Sequence, residues 1–115
     1  MGEHLDHEMI VLVLERNDAK VTKVSTSPDK VQVNFKFDDD EFYVATLEKK
    51  GETWKADLCK FWFGGNYPME IGSFYVLGEA TRALMKGCVG ASQAHKQFTR
   101  DKIEQNTMAK FTKVV

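Results

Sequence analysis

Val31, Val33, Phe35 and Phe37 alternate with Gln32, Asn34 and Lys36. A period of two predicts a half-buried antiparallel strand with one wet face. Three acids, Asp38–Asp40, connect it to Glu41–Lys49, which is apolar on both sides. Phe42, Val44 and Thr46 share one side; Tyr43, Ala45 and Leu47 share the other. That pattern predicts a central strand covered on both faces. Lys50-Gly51-Glu52 makes the next turn, with Gly51 free to take positive φ. Thr53–Phe63, TWKADLCKFWF, reads as a third strand with Trp54, Ala56 and Leu58 on one face. Beyond Lys60 the phase is lost, so a bulge is expected there, or a second layer covering that end. Gly64-Gly65-Asn66-Tyr67-Pro68 then predicts a sharp strand-to-helix connection.

Ser73 has the chemistry of a helix N-cap. Phe74, Leu77, Thr81, Leu84 and Cys88 follow at steps of three and four, a stripe made to lie on a sheet. A main helix is therefore expected over about 73–87, stopped between Gly87 and Gly90. Ser92 would cap a second, peripheral helix over about 92–105, with Ala91, Ala94 and Phe98 as a thin apolar stripe. The tail alternates Ala109, Phe111, Lys113 and Val115, which favours a closing strand, although Ile103, Thr107 and Phe111 also fit a helical stripe. Near the N-terminus, Met9–Glu15 (MIVLVLE) is a short apolar run whose valines favour strand, although Leu5, Met9 and Leu12 also fit a helix. Asn17-Asp18 is a turn signal, Val21–Val24 is β-prone, and Ser27-Pro28-Asp29 closes that segment. The expectation is one α+β domain spanning 1–115. Its antiparallel sheet has four to six strands, with the main helix packed on a face.

Composition narrows this without naming a chemistry. The chain of 115 residues is 43% hydrophobic and 29% charged, ordinary for a globular domain. Two cysteines do not make a disulfide framework. The acids in MGEHLDHE and the shortness of the first apolar run argue against a secretory signal or a membrane span, so a reducing, cytoplasmic setting is expected. The net charge of −1 hides an asymmetry. Residues 1–80 hold 9 Lys/Arg against 15 Asp/Glu, and residues 81–115 hold 7 against 2. An acidic half pairing with a basic half within one domain accounts for this.

Several constellations could carry chemistry, and each has a plainer reading. His4 and His7, among Glu3, Asp6 and Glu8, would share a helix face and could hold a transition metal, but a solvated terminus explains them as well. Asp38–Glu41 lacks the alternation and glycine of a calcium loop and reads as a hairpin tip. Cys59 with His95 is the one nucleophile–base pair of the cysteine type, with Cys59 mid-strand and Cys88 on the apolar stripe. No phosphate-loop, nucleophile-elbow or zinc-ribbon spacing occurs. No catalytic residue, metal ligand or cofactor is assigned.

The aromatics then carry the functional expectation. Phe61, Trp62, Phe63 and Tyr67 exceed what a strand end needs for packing, and such residues are enriched in interface hot spots. The chain is read as a non-enzymatic binding module, acting through a protein partner or a second copy and not through a membrane. The alternative is a single-stranded nucleic-acid binder, with Tyr43 stacking bases and Lys55, Lys60, Arg82, Lys86, Lys96 and Arg100 meeting phosphates. The order of antiparallel strands and then a helix resembles whirly- and PUR-type single-strand binders in topology, without an RNP-like motif. A small metal- or cysteine-dependent enzyme using His4, His7 or Cys59 is the third reading.

Overall fold

A computed structural model describes residues 7–62 and 64–114, with side chains of the last helix described through Asp101. The first three turns of apolar sequence form a helix, α1 (His7–Arg16). Ile10 and Leu14, one turn apart, enter the core, while Met9 and Leu12 stay exposed. The β preference of the valines yields to this face, since propensity is worth less than burying two large side chains. α1 ends in a Schellman motif. Ala19 N–H donates to the Leu14 carbonyl at 3.0 Å and Asp18 N–H to that of Glu15 at 3.3 Å. Asp18 takes the left-handed position with φ of 67°. Asn17 Nδ2 adds a bond to the Val13 carbonyl at 2.8 Å.

Five strands follow: β1 (Lys20–Ser27), β2 (Lys30–Lys36), β3 (Glu41–Lys50), β4 (Thr53–Trp62) and β5 (Gly65–Phe74). They form one antiparallel sheet in sequence order, β1-β2-β3-β4-β5. The fold is α+β. Pro28-Asp29 and Gly51-Glu52 are two-residue turns between paired ends, with Gly51 at φ of 62°. β5 corrects the expected strand-to-helix connection at 64–68. That segment turns back as a hairpin with Gly64 at φ of 75°, and Trp62 pairs Gly65. Pro68 is tolerated because β5 lies at the sheet edge, where a missing donor breaks no ladder. The expected bulge at Lys60 is also corrected. β4 runs in unbroken register with β3, and the irregularity lies in β5 at Ile71, opposite Ala56 and Asp57.

The last element is a single helix, α2 (Leu77–Val114). It starts four residues later than expected, because Ser73 and Phe74 belong to β5. The Val76 carbonyl accepts from the N–H groups of Glu79 and Ala80. The helix neither stops at Gly87–Gly90 nor restarts at Ser92, and it takes up the segment expected as a closing strand. Its buried stripe is Leu77, Ala80, Thr81, Leu84 and Cys88, close to the one expected. Ser92 is no cap. It is buried in mid-helix and donates to the Asn17 carbonyl at 2.7 Å, tying α2 to the end of α1. Thr81, also buried, donates to the Leu77 carbonyl.

Both helices lie on one face of the sheet. Their apolar stripes meet Val31, Val33, Phe35, Tyr43, Ala45, Leu47, Trp54, Ala56 and Leu58 in one core. Among the described residues nothing packs on the opposite face, so the side of β3 bearing Phe42, Val44 and Thr46 is uncovered, contrary to expectation. Among the described residues no helix is long and apolar enough to cross a membrane.

Candidate functional site

The pairing of β3, β4 and β5 brings Glu41, Trp62 and Gly65 to one end of the sheet, followed by Phe42, Phe61 and Asn66, then Tyr43, Lys60 and Tyr67. Alternation sends Phe42 and Phe61 to the open face. Their rings stack at 5.0 Å with planes 9° apart. Regular register thus places Phe61 beyond Lys55, Asp57 and Cys59 on that face, which is why the buried-face pattern fails at Lys60. Phe42 is 47% exposed. A cleft of about 350 Å³ beside the pair is lined by Asp40, Phe42, Phe61, Trp62, Gly64, Gly65 and Asn66. An aromatic pair of this kind contributes about 0.5–1.5 kcal/mol beyond its burial, yet the outer surface of Phe42 stays in water.

Trp62 and Tyr67 belong to the same end but to the helix-bearing side, where α2 does not cover them. They are 39% and 52% exposed, and Met69 beside them on β5 is exposed as well. The Lys60 ammonium stands 5.5 Å from the Trp62 ring centre and 5.9 Å from that of Tyr43. Phe63 lies outside the described residues, as do Glu3, His4 and Asp6, while His7 and Glu8 stand in the first turn of α1. Phe42 and Met69 were not singled out from sequence. The signal for Phe42 was available, since it falls out of phase with Tyr43, Ala45 and Leu47.

The residues expected to contact nucleic acid are distributed rather than gathered. Tyr43 is 4% exposed, stacked on Phe35 at 5.1 Å and edge-on to Phe37. Burial, with the charge of Glu41 adding to it, raises the Tyr43 hydroxyl well above the usual tyrosine range. Lys60 is held by Glu41 at 2.9 Å and Lys96 by Asp18 at 3.0 Å. Arg82 and Lys86 are exposed on α2 one turn apart, and Arg100 borders a hollow with Phe37, His95 and Thr99. Lys55 faces the open side, so the sheet separates it from the cations of α2.

Cys59 and His95 are likewise kept apart. Cys59 lies on the open face between Val44 and Pro68, whereas His95 packs against Phe37 and Glu41 on the helix side. The nucleophile–base pair weighed from sequence does not form. Cys88 is in the core, where burial pushes its thiol up to about 12. What the geometry offers is surface for contact: a sheet face that no described element covers, and an aromatic corner reached from both sides of the sheet. Nothing among protein-family models, curated proteins or solved structures matches the chain, so this geometry alone has to carry a functional reading.

Proposed function

We propose that the protein is a non-enzymatic binding module whose aromatic corner docks a protein surface, either a partner or a second copy of itself. The observation that carries this reading is the stacked Phe42–Phe61 pair on a sheet face that no described element covers. An open face this apolar at one end is costly in water and gains by contact. Trp62 and Tyr67 extend the patch around the sheet end, and both are residue types that anchor interfaces. Asp40 at the cleft and Glu41 beside Lys60 make the corner a poor host for a polyanion.

Cys59 reports on the open face directly. If a second copy covers it, light scattering shows a mass that doubles with concentration, and thiol labelling of Cys59 slows in parallel. Phe61→Ser reverses both. A monomeric mass with constant labelling at every concentration removes self-association and leaves a heterologous protein. Salt-dependent binding of a labelled single strand, lost in Phe61→Ser, would instead favour a nucleic-acid ligand.

A further inference from the structure

Two short segments more than fifty residues apart in the chain meet behind the aromatic corner. The β2–β3 connection, residues 37–40, and the start of β3 bring Asp38 and Glu41 against His95 of α2. Glu41 Oε1 lies 3.3 Å from His95 Nδ1, and Asp38 Oδ2 lies 3.8 Å from His95 Nε2. One donor atom from each of the three residues falls within 4.8 Å of the others. The ring is stacked on Phe37 at 5.1 Å and 18°, which holds its plane.

We propose that Asp38, Glu41 and His95 form a binding site for a divalent transition-metal ion of the Zn²⁺ class. A neutral imidazole carries one N–H, so one of its nitrogens presents a lone pair to a carboxylate. With Lys60 beside Glu41, the group holds two carboxylates against one ammonium. At 3.8 Å the Asp38 separation is beyond a hydrogen bond, and at 3.3 Å that of Glu41 is a long one. A single ion binds one imidazole nitrogen, so only one of these is a ligand–ligand separation. With the three donors within 4.8 Å of one another, rotation of the exposed Asp38 side chain closes them to the ~3.4 Å of a tetrahedral ion.

The outer sphere of such a site is also in place. Asp38 Oδ1 accepts from the Asp40 N–H at 2.9 Å, leaving Oδ2 toward the ring. Glu41 Oε2 accepts from Lys60 at 2.9 Å, and the Tyr43 hydroxyl donates to Oε1 at 3.3 Å. Each carboxylate is thus oriented by a second partner, as metal-binding carboxylates usually are. Nitrogen and oxygen donors without thiolate suit Zn²⁺ and its neighbours, and three protein ligands leave a position for water. A bound ion would clip the β2–β3 hairpin to α2.

His4 and His7 offer competing imidazoles, so the test uses the full chain carrying His4→Gln and His7→Gln. Calorimetric titration with Zn²⁺ should show one site. Asp38→Asn should weaken it at least about tenfold, and His95→Ala should abolish it. Co²⁺ should give visible absorption in the first protein only. Asp38 is exposed in a connection, so Asp38→Asn keeps the fold and decides the matter should His95→Ala fail to fold. Absence of a site, or affinity unchanged by Asp38→Asn, overturns the proposal.

Discussion

Alanine at Gly87 and at Gly90 should have unequal effects, although both glycines lie in the same turn and a half of α2. The two positions were expected to end a helix, and the structure runs straight through them. In a continuous helix, replacing glycine by alanine contributes about 0.5–1 kcal/mol, because the unfolded chain loses freedom. A methyl at Gly90 meets nothing within 4 Å. Gly90→Ala should therefore stabilise by the full amount, raising Tm by roughly 2–4 °C for a domain of this size. At Gly87 the same methyl would sit 2.8 Å from Ile71 Cδ1. Ile71 is the bulge residue of β5 and is partly buried against the core. Moving it costs about 1 kcal/mol, the low end for overpacking, because a terminal methyl can rotate away. Gly87→Ala should thus be close to neutral and at least ~1 kcal/mol less stable than Gly90→Ala. Ile71→Val, which deletes Cδ1, should cost less in the Gly87→Ala background than in the natural one, a coupling that urea denaturation of the four proteins would measure. Equal stabilisation by both alanines would show that α2 does not touch β5 at Ile71. Destabilisation by Gly90→Ala would show that the helix breaks there after all.

Three further outcomes follow from the packing. Leu84→Ala, at a fully buried site on the stripe of α2, should cost about 2–5 kcal/mol in chemical denaturation, and a cost under 1 would mean that α2 does not shield the sheet. Ser92→Ala should cost about 1–2 kcal/mol by leaving the Asn17 carbonyl without its buried donor, whereas Ser92→Thr should lose stability by crowding instead; an unchanged midpoint for alanine would deny the α1–α2 tie. Cys88, raised to about 12 by burial, keeps its proton in the folded state after the unfolded thiol has lost its own. Stability should therefore fall as pH rises above the ordinary thiol range toward 12, by up to about 1.4 kcal/mol per pH unit. Cys88→Ala should remove that share of the slope, and an identical slope in the variant would refute it.

The sheet was legible wherever one face is wet and the other dry. Val31, Val33 and Phe35 declared β2 by strict alternation, and Trp54, Ala56 and Leu58 declared the buried side of β4, because a period of two leaves no other way to hide those side chains. The stripe Leu77, Thr81, Leu84 and Cys88 announced a helix on a sheet for the same reason. Local signals failed where tertiary contact outweighed them. Val11 and Val13 prefer strands, but Ile10 and Leu14 bury completely only from a helix. Gly87 resembles a stop, but the close approach of Ile71 gives it a use in mid-helix. Pro68 resembles a break, but an edge strand asks nothing of its missing N–H.

The aromatic surplus at Phe61, Trp62 and Tyr67 could be read from the chain. Its division between two sides of a sheet could not, since that depends on β4 keeping register and on where α2 happens to lie. Asp38, Glu41 and His95 are more distant still: over fifty residues separate the acids from the imidazole, and no spacing rule connects them. Periodicity decides which faces of an element are dry. Only the packed sheet and helices decide which of those faces find one another, because that choice belongs to the shared core and not to any single segment.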